Sequence, residues 1–229
     1  MKFVRRCLGV GLGASLLLFQ ALPGAATEAA SSQVAAWLAS QSGVKTWSAD
    51  FVQTRTFKTL AQPLKEAGHV WFSAPGSFRW ELGHPPKTIA VRTPDEMLLF
   101  YPHLKRVERY PVAAAAGPWR EAMALLEAGF PRSQQEVEQR FNILSQKLNG
   151  TSCNLVLQPK SAAARKMMPQ ITIIFDTRSN ALLGTELEFA DGSTMRNDFK
   201  SPVLNPQLDP SLFSPKIPAD YKVVEPLKK

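Results

Sequence analysis

Gly68-His69-Val70-Trp71-Phe72-Ser73-Ala74-Pro75-Gly76-Ser77-Phe78-Arg79-Trp80-Glu81-Leu82 reads as two strands joined at a proline turn. Phe78, Trp80 and Leu82 share one face of the second strand, and Arg79 and Glu81 take the other, as a period of two requires. Pro75-Gly76-Ser77 carries turn residues rather than the Gly-x-Ser-x-Gly elbow that sharpens a serine nucleophile. Upstream, Trp47–Thr54 alternates in the same way, with Trp47, Ala49 and Phe51 on one face. Downstream the habit repeats over Thr88–Arg92, Met97–Tyr101, Arg106–Tyr110, Phe141–Lys147, Cys153–Gln158, Ile171–Asp176, Leu182–Phe189 and Ser193–Lys200. Asn149-Gly150, Ser179-Asn180 and Asp191-Gly192 lie between successive runs. Asn-Gly and Asp-Gly predict primed two-residue turns with positive φ at both central residues. Strands joined that way are antiparallel neighbours, so about ten or eleven of them, each with one apolar face, predict a mainly β sheet curled around its apolar side.

Two helices interrupt the pattern. Ser31–Gly43 places Val34, Trp37 and Leu38 on one stripe, with Ser31 or Ser32 as the cap and Gly43 as the stop. Pro118–Gly129 opens on proline, ends in glycine and aligns Trp119, Met123, Leu126 and Phe130. Both stripes need cover, and the apolar face of the sheet supplies it. Pro111–Gly117 between the strands and the second helix is small and unanchored, and reads as a hinge. Ser133–Arg140 extends that helix or forms a short third one.

The chain opens with Lys2, Arg5 and Arg6, an apolar run over Leu8–Leu22, and Pro23-Gly24-Ala25-Ala26. That is the order of a cleavable secretory signal, and the run is shorter than the roughly 20 apolar residues of a membrane span. Residues 1–26 are therefore expected to be removed near Ala26, leaving residues 27–229 as one domain. Of the 27 Lys and Arg the signal takes three and none of the 19 Asp and Glu, so the balance falls from +8 to +5. Such a mildly basic chain, without a Lys/Arg cluster interleaved with aromatics, does not carry a nucleic-acid footprint. Cys7 leaves with the signal, and Cys153 alone can form no internal disulfide. Cys153 shares a face with Leu155 and Leu157, the place of a small buried side chain rather than a reactive thiol.

No catalytic, metal or cofactor motif stands out. His69, His84 and His103 are scattered singly, and Glu186 and Glu188 sit together on the polar side of one strand. Large apolar side chains are abundant instead. Phe51, Val70, Phe72, Phe78, Trp80, Ile89, Val91 and Leu98 are expected on the inside of the curved sheet. They would serve an ordinary packed core, or they would line a cavity for an apolar ligand under the two helices.

Four stretches resemble the LolA family of periplasmic lipoprotein carriers. They are Ser48–Gln53, Gly68–Trp80, Met97–Pro102, and Leu208-Asp209-Pro210 through Phe213 to Pro218, in the family's order over almost the whole mature chain. The resemblance implies an incomplete antiparallel barrel covered by helical lids, with Val34, Trp37, Leu38, Trp119, Met123 and Leu126 in the lid. It implies a monomeric, non-enzymatic carrier that takes acylated lipoproteins from an inner-membrane LolCDE-type transporter to an outer-membrane receptor such as LolB. Three acyl chains of ~15 methylenes hold a lipoprotein in a bilayer by ~36 kcal/mol, so extraction falls to an energised donor and the carrier shields and releases. Phe78 matches the family's aromatic implicated in accepting cargo. Ala74 stands where such carriers often have a lid-closing arginine, and Asp95-Glu96 replaces the usual Asp-Gly. Arg79 and Arg92 are the cations near enough in sequence to substitute, with alternation directing Arg79 outward. These departures leave open a carrier of a free glycolipid or polyene lipid, or a lipoprotein sensor. A periplasmic lipid hydrolase is a third reading, without a nominated nucleophile.

Overall fold

The computed structural model describes residues 23–112 and 133–226. Twelve strands form a single open sheet in the order β12-β6-β5-β4-β3-β2-β1-β11-β10-β9-β8-β7. The strands are β1 Thr46–Thr56, β2 Leu64–Ser73, β3 Ser77–Leu82, β4 Thr88–Arg92, β5 Glu96–Tyr101, β6 Arg106–Pro111, β7 Phe141–Asn149, β8 Ser152–Pro159, β9 Gln170–Asp176, β10 Leu182–Glu188, β11 Thr194–Leu204 and β12 Lys222–Val224. Two antiparallel meanders, β1–β6 and β7–β11, meet where β1 pairs with β11. The predicted strands are all present, most of them longer than expected; β4 has the expected bounds and β10 ends one residue early, at Glu188. The addition is β12, a three-residue strand that pairs in parallel with β6. Its Lys-Val-Val is too short to show a period.

The hairpins are where expected, but only glycine or asparagine takes positive φ in them. Asn149 is the last paired residue of β7, and Gly150 (φ 60°) and Thr151 form the two-residue turn. Gly192 (φ 75°) follows Asp191 in a three-residue connection closed by the Phe189 N–H donating to Ser193 O at 2.9 Å, the bulged alternative to a primed turn. Asn180 (φ 57°) closes the β9–β10 turn, in which Asp176 Oδ1 accepts from the Ser179 N–H at 2.8 Å.

Three helices lie among the described residues. Helix α1, Pro23–Gln41, starts eight residues before the predicted Ser31. The alanine-rich stretch after Pro23 favours helix and proline is tolerated in the first turn, so Ser31 and Ser32 lie inside the helix instead of capping it. Helix α2, Gln134–Arg140, is the short third helix, capped by Ser133 accepting from the Glu136 N–H. Helix α3, Ala162–Met167, has no apolar period and was not expected. Pro111 belongs to β6, and its neighbour Val112 donates to Asp95 O at 2.7 Å. The rest of the expected hinge, together with the helix predicted over Pro118–Gly129, lies outside the described residues.

The apolar side chains divide into two clusters on opposite faces. The larger one gathers Trp37 and Leu38 from α1 with Trp47, Phe51, Val70, Phe72, Phe141, Cys153, Leu155, Leu157, Ile171, Ile173, Phe175 and Phe199. Cys153 is fully buried there, and burial raises its thiol pKa. The smaller cluster comprises Val91, Leu98, Phe100 and Val107, covered by Ile217 and Tyr221 of the C-terminal segment.

Candidate functional site

Residues directly opposed on neighbouring strands present their side chains to the same face. The register therefore defines rows across the sheet. One row runs Trp47–Phe72–Phe78–Arg92–Met97–Tyr110 and the next runs Ala49–Val70–Trp80–Ala90–Leu99–Glu108. Both lie on the face that α1 covers farther along the sheet, the inner face. Phe51, Val70, Phe72, Phe78 and Trp80 are thus brought together as expected. Phe51 packs on Trp80 with ring centroids 4.1 Å apart, and Phe199 meets Trp47 edge-on at 5.0 Å. Phe51 lies over Gly68, where a Cβ would collide with its ring and with the Glu81 carbonyl. Phe78, Trp80 and Leu82 pack against this cluster but remain half-buried.

Ile89, Val91 and Leu98 are not part of that surface. Phe78 opposes Arg92 and Trp80 opposes Ala90, so β4 turns Ile89 and Val91 to the outer face, and Val91 opposes Leu98 there. Both faces of Ile89-Ala90-Val91 and Met97-Leu98-Leu99-Phe100 are apolar, which is why alternation could not assign them. Arg79 is on the outer face too, as expected, donating to Glu81 Oε1 at 2.7 Å and lying 3.4 Å from Leu212 O. Arg92 is buried on the inner face, so of the two arginines it alone is on the side of the lid.

Val34, Trp37 and Leu38 are buried from α1, which lies against β7, β8 and α2. Trp37 stacks on Phe175 of β9 with centroids 4.6 Å apart and rings 11° from parallel. Its indole N–H is buried without a hydrogen-bond partner among the described residues. Trp119, Met123 and Leu126 lie outside the described residues. Ala74 is exposed in the β2–β3 turn, its N–H donating to Lys45 O at 2.8 Å.

The inner face also carries polar groups. Gln53 Nε2 donates to Asn197 Oδ1 at 3.0 Å, and Asn197 Nδ2 donates to Thr185 Oγ1 at 3.1 Å. This ladder crosses the seam between the two meanders, and all three side chains are buried. At the β6 edge, buried Glu108 accepts from the Tyr110 hydroxyl at 2.7 Å and from the Tyr101 hydroxyl and the Arg106 guanidinium. Burial first, and Glu108 beside them second, raise both tyrosine pKa values. The alternation Arg106-Glu108-Tyr110 was visible in sequence, but nothing in it marked that side as the inner one. Elsewhere His69 Nδ1 lies 2.7 Å from Asp50 Oδ1 on the outer face, and among the described residues no three His, Cys, Asp or Glu converge as metal ligands.

An open, mainly antiparallel sheet whose inner face gathers the larger apolar cluster, with a helix laid on that face, is a half-barrel of the kind that covers an apolar interior without closing it. The sequence narrows this class. The profile of the family described as "Outer membrane lipoprotein carrier protein LolA" matches residues 42–216, and the chain belongs to that family. It is 30% identical over 202 residues to an outer-membrane lipoprotein carrier protein of Chromobacterium violaceum, covering 88% of this chain and 91% of that one. It is 28% identical over 182 residues to another so named from Chromohalobacter salexigens, covering 79% of this chain and 81% of the relative. A crystal structure of an uncharacterised conserved protein from Thermus thermophilus shares the fold, with a TM-score of 0.51 and 12% identity over 85% of this chain and 99% of that one. Among the described residues no helix is long and apolar enough to cross a membrane.

Proposed function

We propose that this chain is a periplasmic, non-enzymatic carrier that shields the acyl chains of lipoproteins on the inner face of its half-barrel and ferries them from the inner to the outer membrane. The observation that carries the reading is the half-buried aromatic surface of Phe78 and Trp80 beside Phe51 and Phe72, on the same face that α1 covers. In this reading Phe51, Val70, Phe72, Phe78 and Trp80 contact acyl chains, while Ile89, Val91 and Leu98 hold the C-terminal segment to the back of the sheet. Family membership supports a LolCDE-type donor and an outer-membrane receptor of the LolB kind. The export signal over residues 1–26 fits the same location. Cleavage near Ala26 would take only the first four residues of α1 and leave Val34, Trp37 and Leu38 in place.

Replacing Phe78 with Glu sets an unpaired charge against lipid. The F78E variant should fold, because Phe78 is half-buried and near the open part of the face, yet it should fail to acquire lipoprotein from donor membranes. Transfer at the wild-type rate by F78E would overturn the assignment. A free-lipid cargo is the second reading, favoured by the buried Arg92 opposite Phe78 and the Glu108 group farther along, which suit a ligand with a polar head. Native mass spectrometry of the protein recovered from periplasm separates the two, by bound lipoprotein or bound free lipid.

A further inference from the structure

We infer that the end of the sheet bearing the β1–β2, β3–β4 and β5–β6 tips docks on an anionic phospholipid surface, with Leu60 and Leu64 entering the headgroup layer. Successive antiparallel strands place these three connections at one end of the sheet. The β1–β2 tip protrudes farthest in chain terms: residues 58–65 are exposed without a break. It shows water two leucines, Leu60 at 46% and Leu64 at 54% exposure, and the β5–β6 tip adds Leu104 at 65%. Among the described residues nothing in the fold needs them there. They belong to neither apolar cluster, and the hairpin would close as well on polar residues.

The hairpin that carries these leucines is basic: between Phe51 and Lys65 stand Arg55, Lys58 and Lys65 with no acidic residue. Of the acids at this end, Glu66 pairs with Lys87 at 2.8 Å and Asp220 with Lys105 at 2.9 Å, Asp191 accepts from Ser193 and faces Lys58, and Glu188 lies one strand farther on, on β10. Lys58 packs its stem over Gly192, next to Asp191, which leaves Arg55 and Lys65 as exposed cations beside the leucines. Apolar side chains on a protruding tip ringed by Lys and Arg are the pattern of an interfacial anchor. The chains enter the acyl boundary and the cations meet lipid phosphates. A protein partner would instead be met by a flatter patch with aromatic or arginine anchors at its centre. The site extends the carrier reading, because a shuttle between membranes gains from a tip that orients it on the bilayer, but it does not depend on what the inner face holds.

The test is flotation of the signal-free chain with phosphatidylglycerol–phosphatidylethanolamine vesicles and with phosphatidylcholine vesicles. The wild type should bind the anionic vesicles, and salt should release it. The double variant L60D/L64D should weaken binding at least about tenfold, and R55Q/K65Q should cost about fivefold for each cation removed. Both should unfold at the wild-type temperature, since all four side chains are exposed, and both should load a fluorescent acyl probe as the wild type does. Equal binding to both vesicle types, no binding to either, or wild-type binding by L60D/L64D would overturn the inference. Capture by an acidic protein without vesicle binding would overturn it as well. Anionic vesicle binding by a chain that loads no acyl probe would instead refute the carrier reading and leave the docking surface standing.

Discussion

The two ends of the sheet, β3–β6 and β7–β11, use the same architecture to opposite effect. In β7–β11 the inner face is the core: Leu155, Leu157, Ile171, Ile173 and Phe175 are fully buried beneath Trp37 and Leu38 of α1. In β3–β6 the dry cluster is on the outer face, where Val91, Leu98, Phe100 and Val107 lie under Ile217 and Tyr221, and the inner face carries half-buried aromatics and the Glu108 group. One end is a wall sealed by a helix. The other end is braced from behind by the C-terminal segment, and Phe78 and Trp80 on its inner surface stay only half-buried where they pack against the main cluster.

The sharpest way to break the comparison is at Trp37. W37A should lose about 3–5 kcal/mol of stability, the cost of emptying a fully buried aromatic site, measured by urea unfolding. W37F should lose clearly less, since it keeps most of the stacking area on Phe175 and removes an indole N–H that has no partner among the described residues. Equal losses would mean that the ring's packing is not what anchors α1. Next in size, L155A in the sealed wall should cost about 2–5 kcal/mol, and V107A in the four-residue outer cluster a smaller amount, about 1–2 kcal/mol. The reverse order would show that the outer cluster, not the inner one, is the main core.

The seam between the halves is tested by N197L, which strands both Gln53 and Thr185 in a buried position. It should cost about 1–3 kcal/mol, and Q53L/N197L should recover part of that loss by removing the orphaned amide. The smallest effect is expected in the sealed half at Asp176. The Ser179 N–H, helped by the Ser179 hydroxyl and the Arg178 N–H, holds its carboxyl below the usual carboxylate range. A depressed pKa contributes stability above the unfolded value of about 3.9, and this is lost as pH falls through the folded value. Wild type should therefore melt slightly above D176N at neutral pH, and the gap should close in acid. A gap that persists at acid pH would assign the effect to turn shape and not to charge.

Much of this was legible in the chain itself. Trp47-Ala49-Phe51, Phe78-Trp80-Leu82 and Cys153-Leu155-Leu157 alternate cleanly because each strand has one wet and one dry face, and their placement followed directly. Of the two readings of Ser133–Arg140, the short third helix is the one that formed, as α2. The order of four motifs identified the family that the profile match confirms. The sites of the hairpins were legible as well, though not their form: in Asn149-Gly150 and Asp191-Gly192 the glycine takes positive φ, and Asn149 and Asp191 do not.

What the sequence could determine was local: strand periods, caps, turns and the supply of apolar side chains. Which face of β4 and β5 is inside was decided only by the tertiary structure. Those strands are apolar on both sides, and a one-residue change of register would exchange the faces. The choice came from Phe78 meeting Arg92 across the β3–β4 pair, and from Ile217 and Tyr221 arriving from more than a hundred residues away to cover the other side. The role of Glu108 was hidden in the same way, since its inward position depends on three strand pairs keeping register from Phe78 to Tyr110. Periodicity is a property of one strand, whereas the division between a sealed wall and an open one is a property of pairs of strands and of what comes back to cover them.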